Sequence, residues 1–131
     1  MGKSTSTGTS TNLQFNGVTS SGSYATHSVY GNGSITGAEA FANNSSVSGG
    51  YLTASTDTGF GVAVLDILDY TNTSKNTTLR GLTGRDNNGS GIVALISGVW
   101  LDTAAVNRID ITVNAGNWAT TSRFALYGIK G

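Results

Sequence analysis

Residues 77–101 read TTLRGLTGRDNNGSGIVALISGVWL, two apolar bursts on either side of Asp86-Asn87-Asn88-Gly89. In the first, Leu79 and Leu82 stand around Arg80. In the second, Ile92, Val93, Leu95, Ile96, Val99 and Trp100 crowd together. Asn and Gly accept positive φ at little cost, so the segment between the bursts has the chemistry of a tight hairpin turn. The second burst is long enough to cross a sandwich, with a bend expected at Gly98. A β-hairpin is therefore the first element to be read, and the rest of the chain follows the same pattern.

Ser23–Tyr30 alternates, with Tyr24, Thr26, Ser28 and Tyr30 on one face and Ala25, His27 and Val29 on the other. Arg108–Asn114 alternates most clearly, Ile109, Ile111 and Val113 against Asp110 and Thr112. Further strands are expected over 12–18, 47–55 and 59–70. The last of these is the strongest core candidate, with Phe60, Val62 and Val64 buried, Leu65 and Ile67 as further candidates, and Asp66 and Asp69 punctuating its end. Ile35–Ala42 is weaker, and a short helical turn is the alternative there. Arg123–Ile129 sets Phe124, Leu126 and Gly128 against Ala125, Tyr127 and Ile129, apolar enough for a central strand. About eight short strands at intervals of about ten residues predict an all-β fold, an antiparallel β-sandwich of jelly-roll-like type, rather than a closed barrel. The sandwich is expected over 12–131, preceded by an extended polar arm over 1–11.

Composition supports that class and excludes others. At 131 residues the chain suits one domain. Gly, Ser, Thr and Asn make up about half of it and only 11% of residues are charged, the reverse of a helical protein. There are 19 Gly and 0 Pro, so turns rely on Gly and Asn. With 7 basic and 7 acidic residues the net charge is +0, which leaves no field to hold a phosphate backbone or an anionic membrane; neither nucleic acid nor membrane is an expected partner. Apolar runs such as Gly61–Leu65, which ends at Asp66, fall far short of the ~18 residues of a membrane helix. Met1–Asn12 offers no apolar stretch of the secretory type. The 0 cysteines exclude disulfides and thiolate metal sites and suit synthesis in a cytoplasm. Asn-X-Ser/Thr triplets, among them those at Asn43, Asn44, Asn72, Asn76 and Asn88, arise by chance in such a composition and read as turn chemistry rather than glycosylation.

Chemistry-bearing residues are sparse. Nucleophilic catalysis needs a base, and the 1 histidine, His27, lies on an expected strand without an obvious partner. Asp66 and Asp69, three apart on a strand, face opposite ways and do not form a glycosidase pair. Asp86, Asn87, Asn88 and Ser90 supply oxygens, but the calcium-loop pattern lacks its later acidic ligand, so an Asx-type turn is the better reading. Gly31-Asn32-Gly33 is not followed by Lys-Ser/Thr and is a turn, not a phosphate loop. No enzyme activity and no cofactor, catalytic or metal-binding residue is expected.

Two features point to contact with other molecules. The arm residues Lys3, Ser4, Thr5, Ser6, Thr7, Thr9, Ser10 and Thr11 include no apolar side chain that could anchor them, so by composition they should be mobile unless neighbouring chains hold them through backbone pairing. They are the expected assembly contacts. Trp118, in a Gly116-Asn117-Trp118 loop, is the aromatic best placed for surface recognition, including stacking on a glycan.

The final third carries a resemblance. Asp69-Tyr70-Thr71, Leu79-Arg80-Gly81-Leu82-Thr83-Gly84, Ser97-Gly98-Val99-Trp100, Ile109-Asp110-Ile111 and the closing Ser122-Arg123-Phe124-Ala125-Leu126-Tyr127-Gly128-Ile129-Lys130 resemble the terminal domain of many tailed-bacteriophage virion proteins, over residues 59–131. The closing run is the most specific part. The resemblance implies a small β-sandwich of the kind found at the ends of tail-fibre and head-surface proteins. A chain opening at Met1 with a short arm, and no upstream shaft, suits a capsid decoration or cement protein at the virion surface. The resemblance further implies a homo-oligomer, by analogy a trimer, seated on the major capsid protein or another virion protein. A tail-fibre or receptor-binding tip that recognises a host surface is the second expectation, and a carbohydrate-binding module the third.

Overall fold

The computed structural model describes residues 1–7 and 9–129; Gly8 of the expected arm, and Lys130 and Gly131 at the end of the expected domain, lie outside the described residues. Eight strands follow in order: β1 Ser10–Phe15, β2 Tyr24–Gly31, β3 Thr36–Asn44, β4 Val47–Tyr51, β5 Val62–Leu68, β6 Thr77–Asp86, β7 Gly91–Trp100 and β8 Ile109–Val113. All pair antiparallel, in a three-stranded sheet of order β4-β1-β8 and a five-stranded sheet of order β3-β2-β7-β6-β5. The chain is thus an all-β antiparallel sandwich. β1 pairs with β8 and β2 with β7, while β2–β3, β5–β6 and β6–β7 are sequential neighbours within the large sheet, so the strands divide three and five.

The β6–β7 hairpin forms as its sequence requires. Asn88 (φ 50°) and Gly89 (φ 107°) both take positive φ, Asn87 N donates to Ser90 O at 2.8 Å, and Asn88 N donates to Asp86 Oδ1 at 2.9 Å. Two successive positive-φ residues match the right-handed twist of the strands they join. Residues 36–44 are a strand, not a helical turn: they are carried by pairing with β2, which overrides a weak local pattern.

The core lies between the sheets. Leu13, Phe15 and Val47 from the small sheet meet Tyr24, Leu79, Ile96 and Trp100 from the large one. The Phe15 ring packs 5.7 Å from Trp100 and 6.3 Å from Tyr24. Tyr24 is fully buried, so its hydroxyl needs partners; it accepts from Phe15 N at 2.9 Å and donates to Val18 O at 3.0 Å, which ties the chain leaving β1 to β2. Burial raises the Tyr24 phenol above its usual pKa. Strand β7 runs without a bulge in both its pairings, so Gly98 does not bend it. Any side chain there would overlap Val47 Cγ2 of the opposite sheet; the glycine lets the two sheets close.

Two expectations about the core are corrected. Phe60, Val62 and Val64 are exposed, and Leu65 and Ile67 pack against the core instead. Leu65 lies over Gly81, where a Cβ would overlap its Cδ2, so the missing side chain on β6 fixes which face of β5 turns inward. Residues 123–129 are not a central strand: they belong to neither sheet, and their side chains are exposed.

Candidate functional site

The large sheet has apolar side chains on both faces. Its outer face is organised in rows set by register. Val64 pairs with Leu82, Leu82 with Leu95, Leu95 with Val29, and Val29 with Ala38, so one row of apolar side chains crosses all five strands. Val29, Val64, Leu82 and Leu95 are each more than half exposed. The next row is Val62, Gly84, Val93, Gly31 and Thr36. Two of its five members have no side chain, and a shallow apolar trough of about 720 Å³ opens there, lined in part by Val29, Leu82, Val93 and Leu95.

On the other side of the apolar row the register places Asp66, Arg80, Ser97, His27 and Ala40. Arg80 Nε donates to Asp66 Oδ2 at 3.0 Å, in solvent. An apolar centre edged by a polar rim is the anatomy of a protein-binding surface. His27 belongs to that rim, with a serine and an alanine as its cross-strand neighbours. Among the described residues no three His, Cys, Asp or Glu gather as metal ligands.

A second apolar feature follows the last anchored residue. Arg123 N donates to Met1 O at 2.9 Å, and the Met1 ammonium donates to Arg123 O at 3.1 Å. From Phe124 to Ile129 the backbone makes no hydrogen bond among the described residues. Leu126, Tyr127 and Ile129 are 82–84% exposed.

The N-terminal arm lies on its own chain. Gly2 bridges to Gly61, Lys3 to Thr53 and Ser4 to Trp118. Ser4 is 1% exposed, its Oγ donating to Ala115 O at 2.7 Å and accepting from Ser6 N at 3.0 Å. Thr5 and Asn117 exchange two bonds, and Ser55 N donates to Ser6 O. Lys3 Nζ donates to Asp57 O and stands 5.8 Å from the centre of the Phe60 ring. Asn114 Oδ1 accepts from Thr9 N and Ser10 N, and the buried Thr11 Oγ1 donates to Gly50 O. With no apolar side chain to anchor it, the arm was expected to be mobile unless neighbouring chains held it through backbone pairing. The structure instead holds these residues by intrachain hydrogen bonds, and Thr5 and Thr7 are the two described arm residues between Gly2 and Thr11 whose side chains stay exposed.

Trp118 is held rather than free. Its Nε1 donates to Ile111 O at 3.0 Å, a Cβ on Gly2 would come within 2.7 Å of the indole, and Phe124 meets it edge-on at 4.8 Å. It clamps the start of the chain and the root of the C-terminal segment. The loop over 54–58 is fixed through Asp57, whose carboxylate accepts from Arg85 at 3.2 Å, Asn87 at 2.9 Å and Ala54 N at 3.0 Å.

The outer-face residues Val29, Val64, Leu82, Val93 and Leu95 were not singled out as a site by the sequence reading. The signal was present: Val62–Leu68 and Ile92–Val99 are apolar on both faces, which in a strand means that both faces are destined for burial. No family model, curated protein or solved structure matches this chain.

Proposed function

We propose that this chain is a non-enzymatic structural protein of a tailed-bacteriophage virion, a capsid decoration or cement protein that works as a homo-oligomer, a trimer, seated on the major capsid protein. The observation that carries the reading is the surface. The chain exposes 7659 Å², where a 13.3 kDa monomer is expected to expose about 6,500 Å². The difference, about 1,200 Å², is of the size that one or two protein contacts remove from water. Much of the exposed apolar surface is the outer face of the large sheet and the segment after Arg123, and that segment is also the most specific part of the resemblance to virion proteins.

A cement protein needs a compact module with neutral charge and surfaces that fit other proteins, repeated by symmetry so that modest contacts add up. The net charge of +0 and the two-sided apolar sheet suit that work. The glycan reading loses support, because the indole of Trp118 is engaged by Gly2, Ile111 and Phe124.

The test is the copy number of this chain in intact particles, by quantitative mass spectrometry, together with particle survival on heating when the chain is deleted. On the order of hundreds of copies per particle and earlier rupture of particles lacking it are expected. A handful of copies would move the chain to the tail tip, and its absence from particles would overturn the virion reading altogether.

A further inference from the structure

Both unpartnered apolar features are in one chain, and each lacks what the other has. The Val64–Leu82–Leu95–Val29 row is a flat apolar surface with its backbone already paired. Phe124–Ile129 is an uncharged, exposed segment that belongs to neither sheet and has no backbone hydrogen bond among the described residues. We propose that copies of this chain associate with Phe124–Ile129 of one copy laid across the apolar row on the outer face of the next copy's five-stranded sheet.

Dimensions favour the fit. Five strands spaced about 4.8 Å apart make a row about 19 Å wide, and six extended residues at about 3.3 Å each reach about 20 Å. The segment starts from a fixed root, since Arg123 is bonded to Met1 in both directions and Phe124 is braced against Trp118. It does not cover its own sheet, as the exposure of Leu126, Tyr127 and Ile129 records. The chain exposes more surface than is expected for a monomer of this mass, both features belong to its exposed apolar part, and a second copy is the one partner certain to present both. The rim also suits an interface between copies: the Asp66–Arg80 pair satisfies its own charges at the border and demands no counter-charge from the neighbour.

The contact is of the head-to-tail kind, in which one patch meets a different patch. It either repeats from copy to copy and closes into a ring when the rotation allows, a trimer among the possibilities, or is exchanged reciprocally between two copies about a two-fold axis. The inference rests on the oligomeric part of the function proposed above and not on its virion part.

The 0 cysteines of the chain make a direct test available. Two single variants, Leu95→Cys and Tyr127→Cys, each place one thiol at an exposed position, so neither disturbs the core. Isotopically heavy Leu95→Cys chains are mixed with light Tyr127→Cys chains and oxidised at low concentration; a disulfide forms only where the Cα atoms come within about 7 Å. The expected product is the mixed heavy–light disulfide, in at least tenfold excess over either homodimer. Leu95→Cys joined mainly to itself would overturn the proposal in favour of face-to-face sheets, and no cross-link with a monomeric mass would overturn it outright. As a second measurement, Leu126→Ser, Tyr127→Ser and Ile129→Ser combined should weaken association at least tenfold while leaving the thermal midpoint of a dilute sample unchanged. Unaltered association would count against the C-terminal segment as the contact. Because purified chain alone is used, absence of the protein from virions leaves these results standing, and a monomer here leaves the copy-number test standing.

Discussion

Replacing Gly98 with alanine drives a methyl group into Val47 Cγ2, where β7 of the large sheet packs against β4 of the small one. Gly98 has an ordinary backbone, so the cost is steric and not conformational. Overpacking of this kind costs about 1–3 kcal/mol, reduced a little by the stiffer unfolded chain. Val47→Ala alone removes two buried methyl groups, worth about 1.6 kcal/mol in transfer and about 2–3 kcal/mol once the cavity is included. The two changes are complementary, because the methyl added at position 98 enters the space that Val47 vacates. Residue 47 keeps its Cβ, 3.3 Å from the new methyl, so a shift of a few tenths of an ångström completes the fit. The double variant should therefore lose about 2–3 kcal/mol, not the roughly 4–5 kcal/mol of two independent sites, a coupling of about 2 kcal/mol. Urea unfolding followed by Trp fluorescence measures it, since Trp100 is buried 5.7 Å from Phe15 in the same core. Each midpoint should move while the slope stays constant. Additivity within about 0.5 kcal/mol would refute the sheet-to-sheet register described here.

Tyr24→Phe removes the acceptor of buried Phe15 N and should cost about 1–3 kcal/mol in the same assay. The pH dependence follows from the raised phenols. Folded Tyr24 and Tyr51 keep their protons where the unfolded chain, with a pKa of 10.0, loses them, so stability is complete below that value and falls as pH rises through it toward the folded values. Tyr24→Phe should make that alkaline fall shallower, and an unchanged slope would contradict the assignment. Asp57→Ala leaves Arg85, Asn87 and Ala54 N without their acceptor and should cost about 2 kcal/mol, with faster hydrogen exchange over residues 54–58. Ser4→Ala should cost about 1 kcal/mol in a dilute sample, because its two bonds lie within one chain; no change would mean that the arm is held elsewhere.

The strands were legible where apolar and polar residues alternate or where turn chemistry is decisive. Asp86-Asn87-Asn88-Gly89 specifies its turn by backbone conformation alone, and Tyr24 and Thr26 turn inward as their alternation requires. Phase was lost where both faces are apolar. Val62–Leu68 contains no alternation to read, and what orients it is a glycine on the neighbouring strand, Gly81, which makes room for Leu65. The C-terminal run was misplaced for the same reason: an apolar segment looks like a buried strand whether it is covered by its own chain or left outside. The arm was missed for the opposite reason. Ser4 and its neighbours are held by hydrogen bonds to backbone groups of residues 53–55 and 115–119, and hydropathy has no means of registering those. The apolar outer face was visible in the sequence as apolarity, but only the register Val64–Leu82–Leu95–Val29 turns it into a continuous surface.

The most direct measurement is the mass of the purified chain in solution by sedimentation equilibrium, from micromolar concentrations upward. A small closed multiple of 13.3 kDa, dissociating on dilution and lost when Val29, Leu82 and Leu95 are changed together to threonine, is the predicted result. A single 13.3 kDa species at every concentration would contradict it, since the outer face would then be surface that no copy of the chain covers.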